Sequence, residues 1–144
     1  HDLGKLRIPD SILDKPGKLT QSEYELVQRH AKDTFAILSQ IEGLEEIAIW
    51  AGDHHEKLNG NGYPMLKNSS NLPLASRIIT ACDMFQALVQ NRPYRASMDL
   101  KEALGVLMEG GKNHELDSSV VACIIKNKNE CYKAATAHSF KLNH

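Results

Sequence analysis

Apolar residues recur at helical spacing along almost all of this 144-residue chain, and no run alternates as a half-buried strand would. That period predicts an all-α architecture. Thr20 and Glu23 form a capping box that opens a helix over roughly 21–40. Its apolar face runs through Val27, Ala31, Thr34 and Leu38, flanked by Tyr24 and Phe35, with His30 on or beside it. A second helix is expected from about 44 to 55, with Leu44, Ile47, Ala48 and Ala51 on one side and His54 and His55 continuing that stripe. A third takes Pro73 in its first turn and continues to about Val89. A fourth covers roughly 98–109 and stops at Gly110–Gly111. Asp117 caps a last helix, about 118–136, ahead of a polar tail over 137–144. "IPDSILDKPGKL" (8–19) reads as an ordered loop with one short turn, 56–72 as a long loop, and "NRPYRAS" (91–97) as a break before proline.

The length suits one domain with a real core. A formal net charge of −1 leaves no basic excess to meet a nucleic-acid backbone. No run of about 18 apolar residues is present, nor an N-terminal signal pattern. Cys82, Cys123 and Cys131 make no CxxC pair, and their odd number argues against a disulfide framework. Cys82 and Cys123 sit in apolar runs and are expected as buried, reduced thiols, which implies a cytoplasmic location. The chain opens directly on "HDLGK", and Gly4 would suit the C-terminal end of a helix whose body precedes His1. The expectation is a piece of a longer protein.

Several residues carry more chemistry than a helical core needs. Asp83 lies within "RIITACDMFQAL", apolar around much of its circumference, where a carboxylate needs a cation, a salt bridge or a solvent-facing position. His54 and His55 would diverge by about 100° on a helix, so they could serve two ions lying side by side rather than one. A surface pair or a hydrogen-bonded core histidine is the plainer alternative. His1–Asp2 adds a second imidazole–carboxylate pair, and a carboxylate, unlike an imidazole, can bridge two cations. His1, Asp2, His30, His54, His55 and Asp83 together make a mixed N/O set suited to a transition metal better than to Mg or Ca.

"HDLGK", His30, "HHEKLNGNGYP", Asp83 and "NRPYR", in that order over residues 1 to about 125, resemble the HD-GYP family of bacterial signalling phosphodiesterases. The resemblance implies an all-α HD-domain helical bundle over 1–136, here without its N-terminal helix. It also implies two or three divalent metal ions, iron or manganese, and cyclic di-GMP as substrate, cleaved to pGpG and then often to GMP. The implied metal ligands are His1, Asp2, His30, His54, His55 and Asp83, with Asp2 the bridge. Lys5 is implied to contact the scissile phosphate, Arg92 and Arg95 to face the substrate, and Gly62, Tyr63 and Pro64 to form the name-giving motif on a loop near the site. Related proteins use that loop to contact GGDEF domains.

This chain departs from the family where Asn59 stands in place of a frequent aspartate, which removes a charge but keeps a side-chain carbonyl. Three functions remain open at the level of sequence. They are hydrolysis of cyclic di-GMP, hydrolysis of another cyclic dinucleotide or nucleotide, and a non-catalytic module that binds nucleotide or a GGDEF partner.

Overall fold

The Thr20 capping box forms as the sequence predicts. Thr20 Oγ1 accepts from the Glu23 N–H, the Glu23 carboxylate accepts from the Thr20 N–H, and α2 runs Gln21–Leu38. A computed structural model describes residues 1–91 and 96–137. Among them are a 3-10 helix, Leu3–Arg7, the α-helices α1 (Asp10–Leu13), α2, α3 (Glu45–Gly52), α4 (Leu74–Val89), α5 (Leu100–Lys112), α6 (Ser118–Lys126) and α7 (Lys128–Thr136), and no strand. The all-α expectation holds. No described helix is long and apolar enough to cross a membrane.

Four boundaries differ from expectation, and local hydrogen bonding explains most of them. α3 stops at Gly52, so His54 and His55 sit in the turn beyond the helix. The His54 ring bonds the Ala51 carbonyl through Nδ1, and the Glu56 N–H closes a tight turn on the Asp53 carbonyl. α4 begins one residue after Pro73. α5 runs through Gly110 and Gly111, because His114, at φ 54°, takes the left-handed position instead of either glycine. α5 also has a capping box of its own, Asp99 with Glu102. The last helix is two helices broken at Asn127, whose side-chain amide donates to the Cys123 carbonyl and competes with helix continuation. Asp117 caps α6 as expected, accepting from the Ser119 and Val120 N–H groups.

The contacts divide into two units, His1–Thr80 and Ala81–His144. In the second, Ala81, Phe85, Leu88, Val89, Ala103, Leu107, Leu116, Val120, Val121 and Ile124 make a conventional apolar core. Cys82 and Cys123 are exposed there and Cys131 is part-buried, all as free thiols, which corrects the expectation of buried cysteines. Apolar neighbours in sequence do not fix which face of a helix turns inward. The first unit is built differently. Leu38, Ala48 and Ala51 form a small apolar cluster, and the remaining interior holds Ile8, Ala31 and Leu72 together with His30, Thr34, Asp53, His54, Glu56, Ser76 and Thr80. Among the described residues, every buried polar side chain belongs to this first unit. Leu107 is fully buried at the centre of the apolar core. Leu107→Ala is expected to cost about 3 kcal/mol of stability, read from chemical denaturation.

Candidate metal centre

His30 projects from the buried face of α2, and His54 from the turn after α3. Each ring is anchored through Nδ1 to a main-chain carbonyl three residues back, His30 to Val27 at 2.5 Å and His54 to Ala51 at 2.6 Å. A carbonyl only accepts, so each Nδ1 carries the proton and each Nε2 is left bare in the neutral ring. The two Nε2 atoms then face each other at 3.1 Å, both rings 1% exposed. Burial holds the His30 pKa below its ordinary value, an effect that the Val27 bond and the Asp2 carboxylate only partly offset. Two opposed lone pairs in a buried setting repel unless a cation lies against them. The donor set therefore fits a divalent metal, with the tautomers already fixed for ligation.

His55 joins this pair. Ligand atoms of His30, His54 and His55 lie within 4.8 Å of one another, and those of His1, Asp2 and His54 form a second such group. Asp2 connects the two. Its Oδ1 is 3.5 Å from His30 Nε2 and 3.8 Å from His54 Nε2, while Oδ2 lies 3.8 Å from His1 Nε2 and 2.7 Å from Lys5 Nζ. Burial alone would raise the Asp2 pKa. The hydrogen bond and charge of Lys5, with smaller help from His1 and His30, bring it below the usual carboxylate value instead. The carboxylate is thus ionised and spans the space between both groups, as a bridging ligand must.

The loop after His55 is tied down from beneath. Glu56 is fully buried, and its two oxygens accept from the N–H groups of Met65 (2.6 Å) and Lys67 (2.9 Å). Burial raises its pKa, and those two N–H groups offset only part of the rise. Asp53, also buried, takes Lys67 Nζ at 2.7 and 2.9 Å and Ser76 Oγ at 3.0 Å. Gly62 lies so close to the 55–57 backbone that a Cβ there would sit 2.4 Å from the Lys57 nitrogen. Tyr63 follows with its N–H on the His55 carbonyl at 3.1 Å and its ring 4.7 Å from the His55 ring. The Tyr63–Pro64 bond is cis. Gly62 and Tyr63 thus brace His55. Asn59 Oδ1 accepts from the Asn61 N–H, a local turn contact that needs the side-chain carbonyl and no charge.

The structure brings together His1, Asp2, Lys5, His30, His54, His55 and Tyr63 among the residues singled out in sequence. Gly4, expected at a helix end, lies inside the 3-10 helix, where a Cβ would fall 2.0 Å from the His30 carbonyl oxygen. Asp83 is part-buried on α4, in the second unit. Arg92 and Arg95 lie outside the described residues. Sequence reasoning missed Thr34, Asp53, Glu56, Lys67 and Ser76. Asp53 and Glu56 carried a readable signal, since they flank the histidine pair directly after the apolar run 47–51, where a carboxylate drawn into the interior needs a partner.

Residues 1–120 match the HD domain family. The chain belongs to the HD domain family. HD domains are divalent-metal-binding phosphohydrolase folds, and the His/Asp groups described above could hold such an ion. The 3'3'-cGAMP-specific phosphodiesterase 1 of Vibrio cholerae serotype O1 is 44% identical over 139 residues, covering 96% of this chain and 32% of that protein. The 3'3'-cGAMP-specific phosphodiesterase 3 of the same organism is 44% identical over 129 residues, 90% of this chain and 28% of that protein. The cyclic di-GMP phosphodiesterase response regulator RpfG of Xanthomonas campestris is 40% identical over 109 residues, 74% of this chain and 29% of that protein. The chain spans about three-tenths of the length of these curated relatives. These likenesses, with the HHE and GYP elements, are consistent with the HD-GYP branch of the family.

At Gly62, Ala forces the loop off the 55–57 backbone. Gly62→Ala is expected to lower stability by about 1–3 kcal/mol. It should also weaken Mn binding more than Asn61→Ala does, with denaturation and metal titration as the paired measurements.

Proposed function

We propose that this HD domain is a metal-dependent phosphodiesterase that opens a cyclic dinucleotide. The observation that carries the reading is the buried His30–His54 pair, each Nδ1 on a main-chain carbonyl and the two Nε2 atoms 3.1 Å apart beside the Asp2 carboxylate. The proposed ligands are His1, Asp2, His30, His54, His55 and Asp83, with two ions, iron or manganese, and room in the reading for a third. Asp83 is proposed on the family resemblance and on its place in the apolar stretch of α4, where a carboxylate needs a cation or good hydrogen bonds. Such ions, when bound, activate water and neutralise phosphate charge. Lys5, held by Asp2 at 2.7 Å, supplies a fixed positive charge beside the site for the scissile phosphate. Arg92 and Arg95 are proposed to meet the substrate as well, and Gly62, Tyr63 and Pro64 to shape its rim.

Cyclic di-GMP, cleaved to pGpG or GMP, is the substrate the HD-GYP resemblance favours, and one of the three relatives above carries that activity in its name. A second substrate, 3'3'-cGAMP, is favoured by a specific observation: the two relatives at 44% identity are named for it. Both substrates are guanine-containing cyclic dinucleotides and pose the same problem at the phosphate. The domain is proposed to act in the cytoplasm within a longer signalling protein, where a GGDEF domain is a proposed partner.

The deciding assay gives the Mn-loaded chain cyclic di-GMP, 3'3'-cGAMP and a nucleoside triphosphate in parallel. Turnover of one of the cyclic dinucleotides is expected, abolished by chelation and reduced at least about 10³-fold in Asp2→Ala and Asp83→Ala with helical content kept. Full turnover in either variant would sink the metal mechanism. A wild-type chain that takes up no transition metal would favour the binding-module alternative.

A further inference from the structure

We propose that Thr34 is a positioning residue that locks the His1–Asp2 dipeptide onto α2 and so completes the metal group of His1, Asp2 and His54. The inference rests on the metal-dependent reading above. Thr34 is fully buried, four residues after His30 and therefore one turn along the same face of α2. Its hydroxyl donates to the His1 carbonyl at 3.0 Å and accepts from the Gly4 N–H at 2.8 Å. The two bonds grip the backbone on either side of Asp2.

Close packing makes that grip effective. Gly4 rests on the His30 carbonyl with no room for a side chain, so the first turn lies flush on α2 where the Thr34 hydroxyl can reach both groups. The turn is also closed on itself by the Lys5 N–H to the Asp2 carbonyl at 2.9 Å. That bond shapes the turn but does not tie it to α2. The Arg7–Asp33 pair at 3.0 Å does reach α2, but from the exposed end of the segment. One helix therefore supplies both an imidazole, His30, and the hydroxyl that sets where the neighbouring carboxylate stands.

Valine has the shape of threonine without its hydroxyl. Thr34→Val leaves the Gly4 N–H and the His1 carbonyl without that partner in a buried place, and the turn must shift to satisfy them. Thr34→Ser keeps the hydroxyl. A residue that merely stabilised the fold would weaken all metal binding together. A positioning residue for the His1–Asp2 turn should weaken the group that takes both His1 and Asp2 more than the group of His30 and His55, which α2 and the turn after α3 hold in place without that turn.

The test titrates Mn into the metal-free full chain and counts bound ions, for wild type, Thr34→Val, Thr34→Ser and the core variant Leu107→Ala. Two ions are expected in wild type. In Thr34→Val the affinity for one should fall by roughly 10–100-fold and that for the other by clearly less. Thr34→Ser should restore the wild-type count. Leu107→Ala should lower the melting temperature and leave the count unchanged. Wild-type binding of both ions by Thr34→Val overturns the proposal. So does a parallel loss of both ions in step with its melting temperature. A wild-type chain that binds two Mn ions but opens no cyclic dinucleotide would remove the proposed function and leave the Thr34 result standing. A wild-type chain that binds none overturns both.

Discussion

Two bare imidazole nitrogens held face to face in the interior are the constraint around which the first unit is arranged. His30 and His54 come from different elements, and each is oriented by a carbonyl of its own segment. Their opposed lone pairs are costly without a cation, so the surrounding structure has to hold them there. α2 does so through its capped start and small buried residues, and α3 packs Ala48 and Ala51 beside Leu38 to bring the following turn into place. The place of the Asp2 carboxylate depends on the same arrangement, since its Oδ1 faces both rings.

This arrangement explains why the two units have such different interiors. The second can rely on aliphatic burial alone. The first must bury ionisable groups, and each of these is satisfied by a specific partner. Asp53 meets Lys67 and Ser76, and Glu56 meets two main-chain N–H groups. A buried ion pair of this kind contributes little net stability over an apolar one, but loss of either partner leaves the other charge stranded. Its value is positional. Lys67 and Glu56 draw a long polar loop back onto the turn that carries His54 and His55, and Tyr63 closes on His55 from that loop. The GYP element therefore supports His55, a proposed metal ligand, in addition to its proposed place at the rim.

Much of this was legible in the residues themselves. The Thr20 and Asp117 caps are local chemistry, decided within three residues, and they form as written. The buried face of α2 follows from its 3.6-residue period, with His30, Ala31, Thr34 and Leu38 inward. The boundaries that moved did so where a side chain intervened in the backbone ladder: His54 on the Ala51 carbonyl ends the register of α3, and Asn127 on the Cys123 carbonyl splits α6 from α7. Cys82 and Cys123 were misplaced because an apolar run reports composition, while exposure depends on which helix face finds a neighbour.

The sequence by itself determined an all-α chain and a mixed set of imidazoles and carboxylates that suits a transition metal. Period and donor count are properties of residues, and they survive without coordinates. Only the tertiary structure decided that His54 acts from a turn, that Asp2 faces both groups, and that Thr34, Glu56 and Asp53 hold the arrangement in place. These are contacts between segments distant in the chain. Their partners are fixed by the way α2, α3 and the loop pack, and no local rule in the sequence encodes that packing.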